Sequence, residues 1–285
     1  MKSYQLEPTF NPDLKRVVDI HGDWRFYYHS PSGRYLRAVN AILEEGYAKG
    51  PRFYAYLKTH SAEEIDRILS RAGDRGDAVH QFITMIFSHP KMPNRQTPVA
   101  EDNGSLRLLT HDEWEAVLAF ETFWKSHSPT LVDYEQSVAN LNLGYAGTYD
   151  ARLKITTPCG NDKCHCKRFI GKLGLFDWKT GGGIYSNYGA QLAAYWKTTS
   201  ADYTAILRLG TKHRVGYEFQ IYNRRESNKH FREFKAALQI ANAEHKPFDP
   251  KKEIYEIPET LNLTINRAQK PEADTTKILP FSKEA

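Results

Sequence analysis

The segment Gly174-Leu175-Phe176-Asp177-Trp178-Lys179-Thr180-Gly181-Gly182-Gly183 constrains this chain more than any other. A short apolar run bounded by glycines reads as a buried strand. Residues two apart on a strand project from the same face, so Asp177 and Lys179 leave the strand's end together. A carboxylate that can hold a hard cation then stands beside a fixed positive charge. That pairing suits hydrolysis of a phosphodiester, with the ammonium orienting the attacking water or stabilising charge on the phosphoryl oxygens. Burial of Lys179 is expected to lower its pKa and aid proton handling. Taken alone, Asp-x-Lys is equally a surface ion pair, so its neighbours decide.

Upstream, Gly144-Tyr145-Ala146-Gly147-Thr148-Tyr149-Asp150 carries Asp150 into a strand-like run 27 residues before Asp177. That interval accommodates two paired strands and a connecting loop, which would let the two carboxylates converge on one cation. Read without its context, Asp150 is a turn-capping aspartate. Downstream, Gln191 and Tyr195 are four apart in a helical stretch and share a face.

The remaining organisation is ordinary for a globular chain. The 285 residues suffice for a core without staples, and 40% hydrophobic with 26% charged residues excludes bulk disorder and collagen-like repeats. No run approaches the length of a membrane span, and MKSYQLEPTFNPDLKR lacks the apolar region of a secretory signal. A cytoplasmic protein of a bacterial or phage-infected cell is therefore expected. Residues 1–32 read as an irregular arm ending in an aromatic strand, Asp23–His29. Residues 33–128 read as helical. Ser61 is an N-cap with Glu64 at the third helical position, a further helix starts near Asp74, and Pro90 ends it. Another follows His111. Residues 129–245 read as the sheet-bearing part, with strands at 136–140, 147–155, 168–178, 203–209 and 215–221 and helices at 187–197 and 224–245. From Lys246 the composition turns to Pro, Lys, Glu and Thr with seven basic and seven acidic residues, which predicts an extended or disordered tail.

The order Gly-Thr-x-Asp, Asp-x-Lys-Thr, Gln-x-x-x-Tyr resembles the RecB-like branch of the PD-(D/E)xK nuclease superfamily, which includes phage and bacterial exonucleases, CRISPR adaptation nucleases and the mitochondrial genome maintenance exonuclease. The earlier Arg75-Gly76-Asp77-Ala78-Val79-His80 matches that branch's Arg-Gly-x-x-x-His. The resemblance spans roughly residues 30–240. It implies an α/β, restriction-endonuclease-like mixed sheet flanked by helices, with an N-terminal helical portion. It also implies a metal site of His80, Asp150, Asp177 and the Trp178 carbonyl holding Mg²⁺ or Mn²⁺, and a catalytic Lys179. Gln191 and Tyr195 would shape the site. Glu135 and Arg75 are expected beside the metal rather than on it. The activity implied is a metal-dependent DNA exonuclease acting on single strands or strand ends in replication, recombination or repair. A structure-specific endonuclease or a non-catalytic nucleic-acid-binding protein are the alternatives. DNA would be bound without sequence preference, and a helicase, single-strand-binding or recombination protein would be a separate partner.

The three cysteines all fall in Cys159-Gly160-Asn161-Asp162-Lys163-Cys164-His165-Cys166. Odd in number, they argue against a disulfide framework. Free thiols on a polar hairpin and a structural zinc held with His165 are both open. An iron–sulfur cluster is disfavoured, because relatives that carry one use four cysteines flanking the nuclease core. Net charge is +5. Arg34, Arg37, Lys49, Arg52, Tyr54, Arg75, Lys197, Arg224 and Arg225 are candidates for backbone contact and stacking.

Overall fold

The computed structural model describes residues 4–19, 24–101, 104–161, 164–210 and 215–244. The chain opens with an antiparallel meander, β1 (Tyr4–Pro8), β2 (Leu14–Asp19), β3 (Trp24–His29) and β4 (Arg34–Ala38). The helices α1 (Val39–Gly46), α2 (Pro51–Leu57) and α3 (Ala62–Ser88) follow. A short ribbon, β5 (Val99–Ala100) and β6 (Leu106–Arg107), leads to α4 (His111–His127). Next come β7 (Thr130–Asn140), β8 (Tyr145–Lys154), a 3-10 turn over His165–Phe169, and β9 (Leu173–Lys179). The elements α5 (Ser186–Trp196), β10 (Tyr203–Leu209), β11 (Tyr217–Tyr222) and α6 (Arg224–Glu244) complete the described chain.

Nine of the described strands join one sheet, in the order β1-β2-β3-β4-β8-β9-β10-β11, with β7 also on β8. It is mixed, since β9 runs parallel to β10 while β8 runs antiparallel to β7 and β9. This is the expected α/β class, a large mixed sheet flanked by helices. Successive residues of the central strands bury on opposite faces, as the pleat requires. Leu175 and Ile206 pack with Val39, Ile42, Leu192 and Phe234 from α1, α5 and α6. Phe176 and Leu207 pack with Val79, Ile83, Phe120 and Phe123 from α3 and α4. Each such side chain contributes roughly 1.5–3 kcal/mol by leaving water. The approach of α1 to α6 is close enough that a Cβ at Gly46 would run into the Ala237 carbonyl.

Three expectations need correcting. Residues 4–8 and 14–19 are strands of the main sheet rather than an irregular arm. The helix expected near Asp74 is the second half of α3, which starts at its Ser61 cap, where the hydroxyl accepts from the Glu64 amide at 3.2 Å, and runs on through Gly73 and Gly76. The strand expected from Arg168 begins only at Leu173, because His165–Phe169 is a 3-10 turn. The tail from Lys246 lies outside the described residues. Among the described residues, no helix is long and apolar enough to cross a membrane.

Candidate metal centre

The centre forms where two strands part. β8 pairs with β9 from Lys154↔Leu173 to Ala151↔Phe176, and at its other end the parallel neighbour β4 joins it at Tyr145 and Ala146. One step beyond Ala151↔Phe176, Asp150 faces Asp177. On β7, the pairs Tyr134↔Ala151 and Gln136↔Tyr149 bracket Glu135 opposite Asp150. Three acids from three adjacent strands therefore form one row. Glu135 holds a left-handed backbone, φ 48°, a conformation that costs a non-glycine residue about 1–3 kcal/mol.

The backbone freed at the fork is met by side chains. Trp178 N–H donates to Asp150 Oδ2 at 2.5 Å, and the Trp178 carbonyl accepts from His80 Nε2 at 2.9 Å. His80 arrives from α3, and its Nδ1 lies 3.4 Å from Asp150 Oδ1. Thr84, one turn further along α3, donates to Glu135 at 3.3 Å. One donor atom each from His80, Glu135 and Asp150 lies within 4.8 Å of the other two. Asp177 is almost wholly buried; its Oδ2 lies 2.7 Å from Lys179 Nζ yet has no well-aligned hydrogen bond. Lys179 also donates to Gln191 Oε1 at 3.2 Å, and Gln191 Nε2 donates to Tyr195 OH at 3.4 Å. The ammonium sits 4.8 Å from the centre of the Tyr188 ring.

Charges crowded in a dry site shift one another. Burial pushes Glu135 up to about 7, with Asp150 adding repulsion. Burial likewise lifts Asp177 to about 6, against the pull of Lys179. Burial opposes charge on His80, but the field and hydrogen bond of Asp150 outweigh it and raise the imidazole to about 9. Asp150 is held below its ordinary value, because His80, Lys179 and the Trp178 amide together overcome its burial. Lys179 departs from expectation. Burial would lower it, but Asp177 and Asp150 prevail and its pKa is raised, so it is a fixed cation and not a proton acceptor.

The donor set fits a hard divalent ion. Carboxylate and carbonyl oxygens with one imidazole suit Mg²⁺ or Mn²⁺. His80, Glu135 and Asp150 each bring one such donor within 4.8 Å of the other two, while Asp177 Oδ2 is held by the Lys179 ammonium at 2.7 Å.

Of the expected carboxylate and imidazole ligands, His80 and Asp150 fall in one group with Glu135, and Asp177 is not one of that group; it stands beside it, paired with Lys179. Glu135 lies within ligand reach of His80 and Asp150 and belongs to the cluster, not beside it. Its position opposite Asp150 depended on a register that composition does not reveal. Tyr188 was missed, although it stands three residues before Gln191 on the same helical face. Arg75 sends its guanidinium against Gly210 at the end of β10. Of the cationic candidates, Arg37 is half-buried in an ion pair with Glu45 and Arg34 donates to the Leu141 carbonyl. Lys49 lies over the Phe53 ring, and Tyr54 is exposed. Nothing is described of the Arg52 side chain. Lys197, Arg224 and Arg225 line one open groove with Arg232, Lys235, Asn228 and Phe231. His165 is exposed and is not one of the group formed by the cysteines.

No family model matches the chain, and no curated protein matches it. Among solved structures, the crystal structure of SSO0001 aligns over 47% of this chain at 18% identity with a TM-score of 0.30. The chain spans 62% of that protein's length. An alkaline exonuclease, LHK-Exo from Laribacter hongkongensis, aligns over 73% of this chain and 91% of its own at 11% identity with a TM-score of 0.32. At such distances the chemistry rests on the residues described above.

Proposed function

We propose that this chain is a divalent-metal-dependent deoxyribonuclease of the PD-(D/E)xK kind, hydrolysing phosphodiester bonds at strand ends or in single strands. The observation that carries the reading is the meeting of His80, Glu135 and Asp150 beside the buried Asp177–Lys179 pair. A bound Mg²⁺ or Mn²⁺ supplies charge stabilisation at the phosphoryl oxygens and a water of lowered pKa. The chain's own groups do the rest. Asp150 holds its place through the Trp178 amide, so the carboxylate is fixed before substrate arrives. Lys179, protonated and anchored by Asp177 and Gln191, presents positive charge to the developing phosphorane and steers the attacking water. Tyr195 sets Gln191 in turn, and Tyr188 shields the ammonium from one side.

DNA follows from the same reading. The groove of Lys197, Arg224, Arg225, Arg232 and Lys235 around Phe231 offers backbone contact and one stacking ring. It starts just after α5, the helix that carries Gln191. Six residues of helix, about 9 Å, separate that glutamine from Lys197. Such a surface reads charge and not base edges. Roles in replication, recombination or repair, with a helicase, single-strand-binding or recombination protein as a separate partner, belong to this proposal.

The test uses end-labelled single- and double-stranded linear DNA and circular DNA with Mg²⁺ or Mn²⁺. Linear DNA should be degraded and circles spared, and Asp177→Ala should lose on the order of 10²–10³-fold or more in rate. Cleaved circles would reject the end-dependent form. Absence of metal-stimulated hydrolysis on every substrate would reject the nuclease itself.

A further inference from the structure

At the other end of the β8–β9 pair, four soft donors converge. Cys159, Cys164 and Cys166 come from the connection between the strands, and His127 comes from the last turn of α4. One ligand atom from each lies within 4.8 Å of all the others. The Sγ atoms of Cys159 and Cys166 are 3.6 Å apart. That is far beyond a disulfide bond, and close to the roughly 3.8 Å that two thiolates about 2.3 Å from a tetrahedral zinc would span.

His127 supplies a second, independent observation. It is fully buried. Its Nδ1 donates to the Phe123 carbonyl at 3.1 Å, which leaves the lone pair on Nε2. That Nε2 is buried and without a hydrogen-bond partner. A buried polar atom with nothing to bind costs about 1–3 kcal/mol, and an imidazole whose other nitrogen donates to a backbone carbonyl is the arrangement metal-binding histidines adopt.

We propose that His127, Cys159, Cys164 and Cys166 form a structural Cys₃His zinc site that fastens the end of α4 to the β8–β9 connection. Four protein ligands close the tetrahedron, leaving no position for water or substrate, so the site is structural and not catalytic. The backbone already brings the two segments together. The His127 carbonyl accepts from the Thr156 and Thr157 amides at 3.1 and 3.0 Å, and Thr156 Oγ1 donates to the Ser128 carbonyl. Donors this crowded suit one ion; a multi-iron cluster needs its ligands farther apart. His165, between two of the cysteines in sequence, has no part in the site.

The site is tested by elemental analysis of tag-free protein, with and without added zinc, and by the absorption spectrum after cobalt substitution. Neither readout depends on nuclease activity, so its failure and that of the nuclease reading are separable. The expected result is about one zinc per chain, tetrahedral cobalt bands, and a lower melting temperature after chelation. Cys164→Ser should lose most of the zinc, whereas His165→Ala should keep it. His127→Gln should lose it too, with folding checked by circular dichroism. Because that variant removes a core ring and can fail to fold, the Cys164→Ser and His165→Ala pair decides on its own. Wild-type protein that holds no zinc and takes up none would overturn the proposal. So would iron with a visible absorption band, a Cys159–Cys166 disulfide, retention of zinc by a folded His127→Gln, or its loss from His165→Ala.

Discussion

Two inward-facing histidines, His80 on α3 and His127 on α4, belong to helices that pack on the same face of the sheet, and they are driven in opposite directions. His80 faces Asp150 and Asp177 and is raised to about 9. His127 lies among Phe123, Tyr217 and Phe219, and burial lowers its pKa below the ordinary value. The two clusters differ in the same way. One is a row of three acids that repel one another and are met by the Lys179 ammonium and the His80 imidazole; the other is a set of polarisable sulfurs in apolar surroundings. A helix histidine thus takes its chemistry from the strand pair beneath it, and one pair, β8–β9, offers hard ligands at one end and soft ligands at the other.

The largest effect that would sharpen this contrast comes from Lys179→Met. If the lysine acts only as a fixed charge, cleavage should fall on the order of 10²-fold or more. Mn²⁺ binding measured by calorimetry should be kept or tightened, because Asp177 is freed. Zinc content should not move. Loss of Mn²⁺ binding would make the lysine a scaffold for the acids instead.

Next in size is the response to pH. In the metal-free protein, Asp177, Glu135 and His80 have folded values of about 6, 7 and 9 against ordinary values of 3.8, 4.5 and 6.5. All three are raised, so each contributes stability that is complete below the ordinary value and is lost as pH rises through the folded one. The acid row should therefore weaken the metal-free fold between about pH 4 and 9. His127 has the opposite sign. Its lowered value contributes stability above about 6.5 that is lost as pH falls through the folded value. Melting temperatures of chelated protein should drop from about pH 6 to pH 9. Mn²⁺ should raise them more at the higher pH, since binding must displace protons. Glu135→Gln should flatten the slope. An unchanged slope in that variant would mean that Glu135 is not strained by its neighbours.

These signs explain how much of the molecule could be read from the letters. Strand and helix periods made legible that Asp177 shares a face with Lys179 and Gln191 with Tyr195, and only the motif order of the resemblance assigned them to a site. Asp150 and His80 were legible through motif order. What stayed hidden depends on contacts between distant segments. Glu135 was expected beside the metal but not within the ligand group, because it faces Asp150 only through the β7–β8 register, which includes a shift between Leu131 and Asp133. His127 reaches the cysteines only because α4 ends against Thr156 and Thr157, whereas His165 lay next to them in sequence and turned outward. A separate helix was expected to start near Asp74, yet α3 runs unbroken through Gly73 and Gly76. A Cβ at Gly76 would meet only Thr180 Oγ1, at 3.7 Å, so the helix there passes close to the end of β9.

Gly147 tests whether the acid row depends on close packing as well as charge. A Cβ there would drive into the Tyr195 ring, which orients Gln191. Gly147→Ala should cost about 1–3 kcal/mol of stability, as overpacking does, read by urea denaturation. It should lower cleavage by displacing Tyr195, with zinc retained. Full stability together with full activity would mean that the tyrosine ring yields freely and does not position Gln191.

The smallest expected effect lies in the groove, where no metal is needed. Lys197 Nζ donates to Asn228 Oδ1 at 2.9 Å and sits 4.6 Å from the centre of the Trp196 ring, so it is held in place, whereas Arg224 and Arg225 are exposed at the start of α6. Replacing both arginines with alanine should weaken binding to single-stranded DNA. It should also reduce the slope of log affinity against log salt by about 0.7 for each phosphate that is no longer neutralised. Cleavage at saturating DNA, Mn²⁺ affinity and zinc content should all stay near wild type, because neither arginine touches either cluster. An unchanged salt slope would remove the groove from the DNA path. A changed Mn²⁺ affinity would show that the acid row senses the charge of α6 at long range, and that the two ends of the β8–β9 pair are less independent of their surroundings than their contrasting histidines suggest.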